Sequence, residues 1–359
     1  SGGGRRPVLS GVSLADAEKN DVAMARSLGV DGLGKQALDS LRLIPADSII
    51  LSRYGNGPII DGDFVKQDFE SAYYAGQFAH VPLIIGSNSA ESPTSWFAAD
   101  SKDELFSIFG KYSDEAKKIY DPDGKTDLRT LGSMVTTDKV WAEPARFTAK
   151  TLTRAGVPVY VYMFSYVADD AKKCSPLGAM HASELPYVFE TLNTRWGVDD
   201  ITASDNEISK LIHIYWTNFA KHGTPDGAGV PSWPRYTLTS PHIMNFTAQG
   251  NVEAIPEAKP ERLDIVEKAF GSENNNSSKM TRINSLLTRS GEMASTEIGT
   301  AAPLEDVAVT AGNVPVVKLN NGTLMPRFGL GTFLQGSDSI CEHSCLTALK
   351  AGYRHLDTA

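Results

Sequence analysis

The chain has 359 residues, of which 41% are hydrophobic and 21% charged, and its formal net charge is −9 with a pI near 5.3. That composition suits one large or two medium globular domains. An acidic balance without clustered Lys or Arg excludes a general affinity for nucleic acid or anionic membrane, because neutralising phosphates needs a basic patch. The longest apolar runs, such as residues 157–164, are strand length and far short of a membrane span. Cys174, Cys341 and Cys345 make an odd count without metal-ligand spacing, so neither a disulfide framework nor a zinc site is expected. Compartment is left open by this composition, and the three N-x-S/T patterns beginning at Asn245, Asn276 and Asn321 carry little weight alone.

From the start of the chain, Ser13 with Asp16 three positions later predicts an N-cap and a helix running to about Leu28, stopped by Gly29. The run Gly11-Val-Ser-Leu-Ala15 imitates a nucleophile elbow only loosely, and Ser13 is better explained as a cap with no strand before it. Pro58-Ile-Ile-Asp-Gly62 predicts a turn, and residues 68–75 a helix. Val81-Pro-Leu-Ile-Ile-Gly86 is a short apolar run between Pro and Gly, the signature of a strand buried on both faces of a mostly parallel sheet. The loop after it holds Asn88, Ala90 and Glu91, and the carboxyl ends of such strands are where functional groups collect.

Helical patterns cover residues 102–118 and 138–154, followed by a strand at 157–164 and a surface excursion at 169–175. Gly178-Ala-Met-His-Ala-Ser-Glu-Leu-Pro-Tyr-Val-Phe189 then presents His181 on a glycine-containing turn, a candidate catalytic base. No Gly-x-Ser-x-Gly occurs anywhere in the 359 residues to serve it. A long helix spans about 204–222, with Ile208, Leu211, Ile212, Tyr215, Trp216 and Phe219 as its core stripe, and His242-Ile-Met-Asn-Phe246 reads as an edge strand. Helices alternating with strands make the class α/β.

Taken together, Pro58-Ile-Ile-Asp-Gly62, His80 to Asn88, Pro144-Ala-Arg146, Gly178 to Phe189, Tyr215 to Ala220 and Trp233-Pro234 resemble, in order and style, the type B carboxylesterases, including the cholinesterase-like enzymes. The resemblance covers about residues 1–270 and implies the C-terminal half of an α/β-hydrolase fold, with Ser1-Gly-Gly-Gly4 similar to the segment shortly after the nucleophile elbow. It places the triad acid on Glu91 and the triad histidine on His181, in the chain order expected of that fold. It implies a small carboxylic ester as substrate and no cofactor. The chain departs from the family at Ala90 and Ser92, beside Glu91, and at Ala182, where Gly is usual after the histidine. The nucleophilic serine and the oxyanion loop have no counterpart, so ester hydrolysis by this chain alone is not expected. Trp96, Phe97, Trp141 and Phe189 are candidates for an acyl pocket and equally for core.

Residues 271–313 are polar and low in complexity and read as a linker. In residues 314–359, two short apolar runs around Asn320-Asn-Gly322 predict a hairpin, Phe328 to Phe333 a strand, residues 340–351 a helix and residues 353–359 a second strand. With Gly-Leu-Gly-Thr and His-Leu-Asp-Thr-Ala, this tail resembles the opening of an aldo-keto reductase, a (β/α)₈ barrel. That resemblance places Gly331 and Thr332 near a nicotinamide dinucleotide phosphate, and gives Asp357 the support of a catalytic Tyr. Two strands cannot close such a barrel. The expectation is therefore an esterase portion retaining Glu91 and His181. The alternatives are an NADP-dependent reductase fused to an esterase remnant and a non-catalytic esterase-like binding module.

Overall fold

The computed structural model describes residues 11–51, 58–192 and 200–271, and the backbone of four short strands between residues 316 and 357. The chain divides into two units, Ser1–Gly291 and Glu292–Ala359.

The first unit begins with β1 (Val12–Ser13) leading into α1 (Leu14–Ser27). The Asp16 N–H donates to Ser13 Oγ at 3.1 Å, which satisfies one of the helix's free amides and fixes its start. Two further helices, α2 (Lys35–Arg42) and α3 (Ala46–Leu51), precede β2 (Ile59–Ile60), which pairs parallel with β1. A strand thus does precede Ser13, contrary to the expectation. Ser13 nevertheless has φ −65° and ψ 151°, an ordinary extended cap and not the strained turn of a nucleophile elbow. Ile59 and Ile60, expected as a turn, are strand, and the turn itself comes next, where Asp61 accepts from the Asp63 and Val65 amides. Asp68 caps α4 (Phe69–Tyr74).

β3 (Leu83–Asn88) opens a four-stranded sheet. After it come α5 (Lys102–Ser107), a 3₁₀ turn at Gly110–Tyr112 and α6 (Ser113–Tyr120), so the single helix expected over 102–118 is broken near Gly110, where φ is +59°. α7 (Leu128–Thr137), capped by Asp127, runs through a π-helical turn, Asp138–Ala142, into α8 (Glu143–Arg154). β4 (Val159–Phe164) is followed by the histidine loop, the single turn α9 (Leu185–Val188) and the long α10 (Ala203–His222). Thr202 and Asp205 form a reciprocal capping box at the start of α10, and Gly223 at φ +70° ends it. β5 (His242–Phe246), β6 (Val252–Pro256) and α11 (Pro260–Phe270) complete the unit.

The sheet order is β3-β4-β5-β6, with β3, β4 and β5 parallel and β6 antiparallel to β5. β5 is therefore interior rather than an edge, because β6, which the sequence pattern did not reveal, covers it. Alternation along β4 assigns its two faces. Tyr160, Tyr162 and Phe164 join Ile208, Ile212 and Tyr215 of α10 in one core. Val159 and Val161 join Ala145, Ala149 and Leu152 of α8 in another. Burial on both faces is why β4 reads as an unbroken apolar run. A third core, including Leu105, Phe106, Leu131, Val135, Ile265 and Val266, gathers α5, α6, α7 and α11 beside the sheet.

In the second unit, β7 (Val316–Lys318) pairs antiparallel with β8 (Leu324–Pro326), as the Asn-Asn-Gly signal predicts for a hairpin. β9 (Leu330–Gly331) pairs parallel with β10 (Leu356–Asp357). Beyond Gly271, the expected linker at 271–313 lies outside the described residues, as does the expected helix at 340–351.

Candidate active site

Two loops at the carboxyl ends of β3 and β4 hold the two candidate residues, Glu91 and His181. The chain leaves β3 at Asn88 and reaches Glu91 three residues later, whereas the loop after β4 is longer and returns His181 to the same place. A short backbone ladder binds the loops together: the His181 amide donates to Glu91 O and the Ala90 amide to Ala179 O, each at 3.0 Å. The Ala179 amide also donates to Ser89 Oγ at 3.0 Å. Gly178, at φ +134°, makes this approach feasible, since a Cβ there would lie 2.5 Å from Ser89 Oγ.

With the loops so fixed, Glu91 Oε2 lies 2.6 Å from His181 Nδ1. The Glu91 side chain is fully buried while that of His181 is 50% exposed, so one end of the pair is held in the protein and the other is open to a reactant. Glu91 Oε1 accepts the Asn88 amide at 2.7 Å. A buried carboxylate with both oxygens engaged in this way has one orientation. In the tautomer that carries its proton on Nδ1, the ring donates to Glu91 and leaves Nε2 without a proton. Glu91 and His181, singled out from sequence, are brought together.

Residues whose role the sequence did not disclose complete the support. Asn88 is the last residue of β3, not a loop residue. Its Nδ2 donates to Met180 O at 2.7 Å and to Glu184 Oε2 at 2.5 Å. Asn88 thus grips the acid through its backbone and the histidine loop through its side chain. Glu184 is a second buried carboxylate beside the site. Burial, followed by the charges of Glu184 and Glu91, pushes the Tyr162 hydroxyl well above its ordinary pKa. Ala182 has φ +62°, the left-handed region, which gives the physical reason why glycine suits the position after the histidine.

Of the aromatic candidates, Trp141 is buried with its ring centroid 5.3 Å from that of His181, and Trp96 stands edge-on to Trp141 at 4.7 Å. Phe97 belongs to the helical core, and Phe189 is 66% exposed. In the second unit, Asp357 is in register with Gly331, while Thr332 lies outside the described residues. Among the described residues no group of three or more His, Cys, Asp or Glu could hold a metal ion, and no helix is long and apolar enough to cross a membrane.

Among solved structures, a PNB esterase matches with a TM-score of 0.53 at 21% identity, covering 71% of this chain and 55% of that one. A thermophilic PNB esterase gives 0.55 at 20% identity over 71% and 55%. These likenesses show the α/β-hydrolase fold. In sequence, neuroligin-2 of Homo sapiens is 29% identical over 245 residues, 58% of this chain and 29% of its own length. Acylcarnitine hydrolase of Rattus norvegicus is 29% identical over 200 residues, 49% of this chain and 35% of its own length. The chain therefore spans about a third or less of these curated relatives. The model of the carboxylesterase family matches residues 33–264, more than half of the chain, and the chain belongs to that family.

Proposed function

We propose that this chain supplies the acid and base of a serine carboxylic ester hydrolase site, and that the nucleophile and oxyanion donors come from sequence outside these 359 residues. The observation that carries the reading is the buried, doubly anchored Glu91 carboxylate 2.6 Å from Nδ1 of a half-exposed His181. In the reaction, Nε2 of His181 removes the proton of a serine hydroxyl as its oxygen bonds to the ester carbonyl carbon. The same proton then passes to the departing alkoxide, and a second cycle with water releases the acid. Glu91 holds the tautomer and faces the imidazolium charge that appears in each transfer, without itself taking the proton. The substrate is a small carboxylic ester, and no cofactor enters any step.

A non-catalytic binding module is the second reading, in keeping with relatives of the neuroligin name. A binding surface, however, has no need of a carboxylate buried solely to orient a histidine. The reductase alternative rests on the hairpin around Asn320-Asn-Gly322 and on the two runs that hold Gly331, Thr332 and Asp357.

The test is the coding sequence upstream of Ser1. A Gly-x-Ser-x-Gly run is expected there, and the extended polypeptide should hydrolyse p-nitrophenyl esters. Glu91→Gln or His181→Ala should lower that rate by about a thousandfold or more, the scale on which removing a triad member acts. Hydrolysis unaffected by His181→Ala would remove the assignment.

A further inference from the structure

The bond to Glu91 and the covalent tether at Cγ orient the His181 ring, but a single hydrogen bond is a soft restraint. The ring can still librate about χ1 and χ2 and move Nε2 away from a reactant, so a second contact is needed to narrow where the base points. The π-helical turn supplies the group that could provide it. Within Asp138–Ala142 the Glu143 amide bonds to Asp138 O, five residues back, so the turn holds one residue more than an α-helical turn. One inserted residue rotates the downstream helix by about 100° relative to an uninterrupted one. The wide turn is also locked in place. Asp138 accepts from Tyr120 Oη at 2.7 Å and from Arg262 Nε at 2.7 Å, all three side chains being buried. From this turn Trp141 packs against the imidazole, with centroids 5.3 Å apart and planes inclined at 42°, and Trp96 stands edge-on to Trp141 at 4.7 Å. π-turns interrupt α-helices rarely and cluster at functional sites.

We infer that Trp141 is a positioning residue for His181: the π-turn seats its indole against the imidazole and narrows the libration of a ring that Glu91 already orients. The inference rests on the reading of His181 as the base, but its test reads ring geometry and not turnover. Its failure would leave the ester hydrolase reading standing, whereas loss of His181-dependent hydrolysis would leave the geometry standing.

The experiment is NMR on the full 359-residue chain with labelled histidine and tryptophan. In the unmodified chain, cross-relaxation is expected between the indole protons of Trp141 and the carbon-bound ring protons of His181. Its absence would overturn the proposal without any variant. In Trp141→Leu, the far-downfield Nδ1 proton shared with Glu91 should persist, while the His181 ring signals lose their ring-current displacement and broaden severalfold as the ring's libration widens. Trp141→Phe should recover part of that narrowing, which a purely space-filling role would not require. If Trp141→Leu does not fold, Trp141→Phe decides alone: intermediate line widths support the proposal, and unmodified line widths overturn it. A folded Trp141→Leu with unmodified His181 line widths would also overturn it.

Discussion

Asn88→Ala removes the two short side-chain bonds that join the end of β3 to the histidine loop, along with a marginal 3.5 Å contact to Ser183 Oγ. The amide donates to a neutral carbonyl, Met180 O, at 2.7 Å and to the Glu184 carboxylate at 2.5 Å. A neutral bond contributes about 1 kcal/mol net and one to a charged group about 1.5–3 kcal/mol, so the pair is worth roughly 2.5–4 kcal/mol. The Asn88 backbone amide still holds Glu91 Oε1, which confines the loss to the histidine side of the site. At about 2–4 °C per kcal/mol for a domain of this size, the melting temperature should fall by roughly 5–16 °C in a calorimetric or dichroism melt. Asn88→Asp should be worse at neutral pH, because it sets a carboxylate against Glu184 in a buried site. That arrangement raises the new group's folded-state pKa above its unfolded value, so its extra deficit is present at neutral pH and shrinks as pH falls through the raised value. An Asn88→Ala chain within about 0.5 kcal/mol of the original would show that the loops are held by other means, and the reasoning would fail.

Other perturbations draw on the same geometry. Gly178→Ala should destabilise by about 1–3 kcal/mol in urea unfolding, since φ is +134° and the new Cβ meets Ser89 Oγ. Ala182→Gly should stabilise by roughly 0.5 kcal/mol, the relief of a left-handed alanine less the entropy of glycine in the unfolded chain. Arg262→Ala leaves Asp138 buried and should cost about 3–5 kcal/mol, and Arg262→Met with Asp138→Leu should recover most of it. Burial lowers the Lys139 ammonium to about 8, against the opposing pull of Glu143. The charged form therefore carries a penalty of roughly 3 kcal/mol at 1.36 kcal/mol per pKa unit. The Phe270 and Phe97 rings, 3.8 and 5.5 Å from Nζ, offset part of it, leaving about 2 kcal/mol. Lys139→Met should thus be the more stable chain below pH 8. Because the folded pKa is the lower one, its advantage should shrink as pH rises from 8 towards 10.5.

What the sequence disclosed was governed by pattern and spacing. β4 and α10 were legible because burial imposes an apolar run on one and a helical stripe on the other. Ser13 and Asp68 were legible as caps because capping needs a particular side chain at a particular offset. β6 was not, since its pattern alternates weakly at an exposed edge, and α7 was missed because its start rests on Asp127 alone. The π-turn leaves no period in the residues, and without it the place of Trp141 cannot be inferred. Glu91 and His181 were visible through family resemblance, but Asn88 and Glu184 were not. Their roles depend on a contact between positions 96 residues apart, which only the fold creates.

The most direct measurement is treatment of the folded 359-residue chain with a serine-directed fluorophosphonate, followed by intact-mass analysis. No stoichiometric adduct is expected, because the 359 residues hold no Gly-x-Ser-x-Gly elbow to present a serine to His181. A stoichiometric adduct on a serine of this chain, lost in His181→Ala, would contradict that expectation.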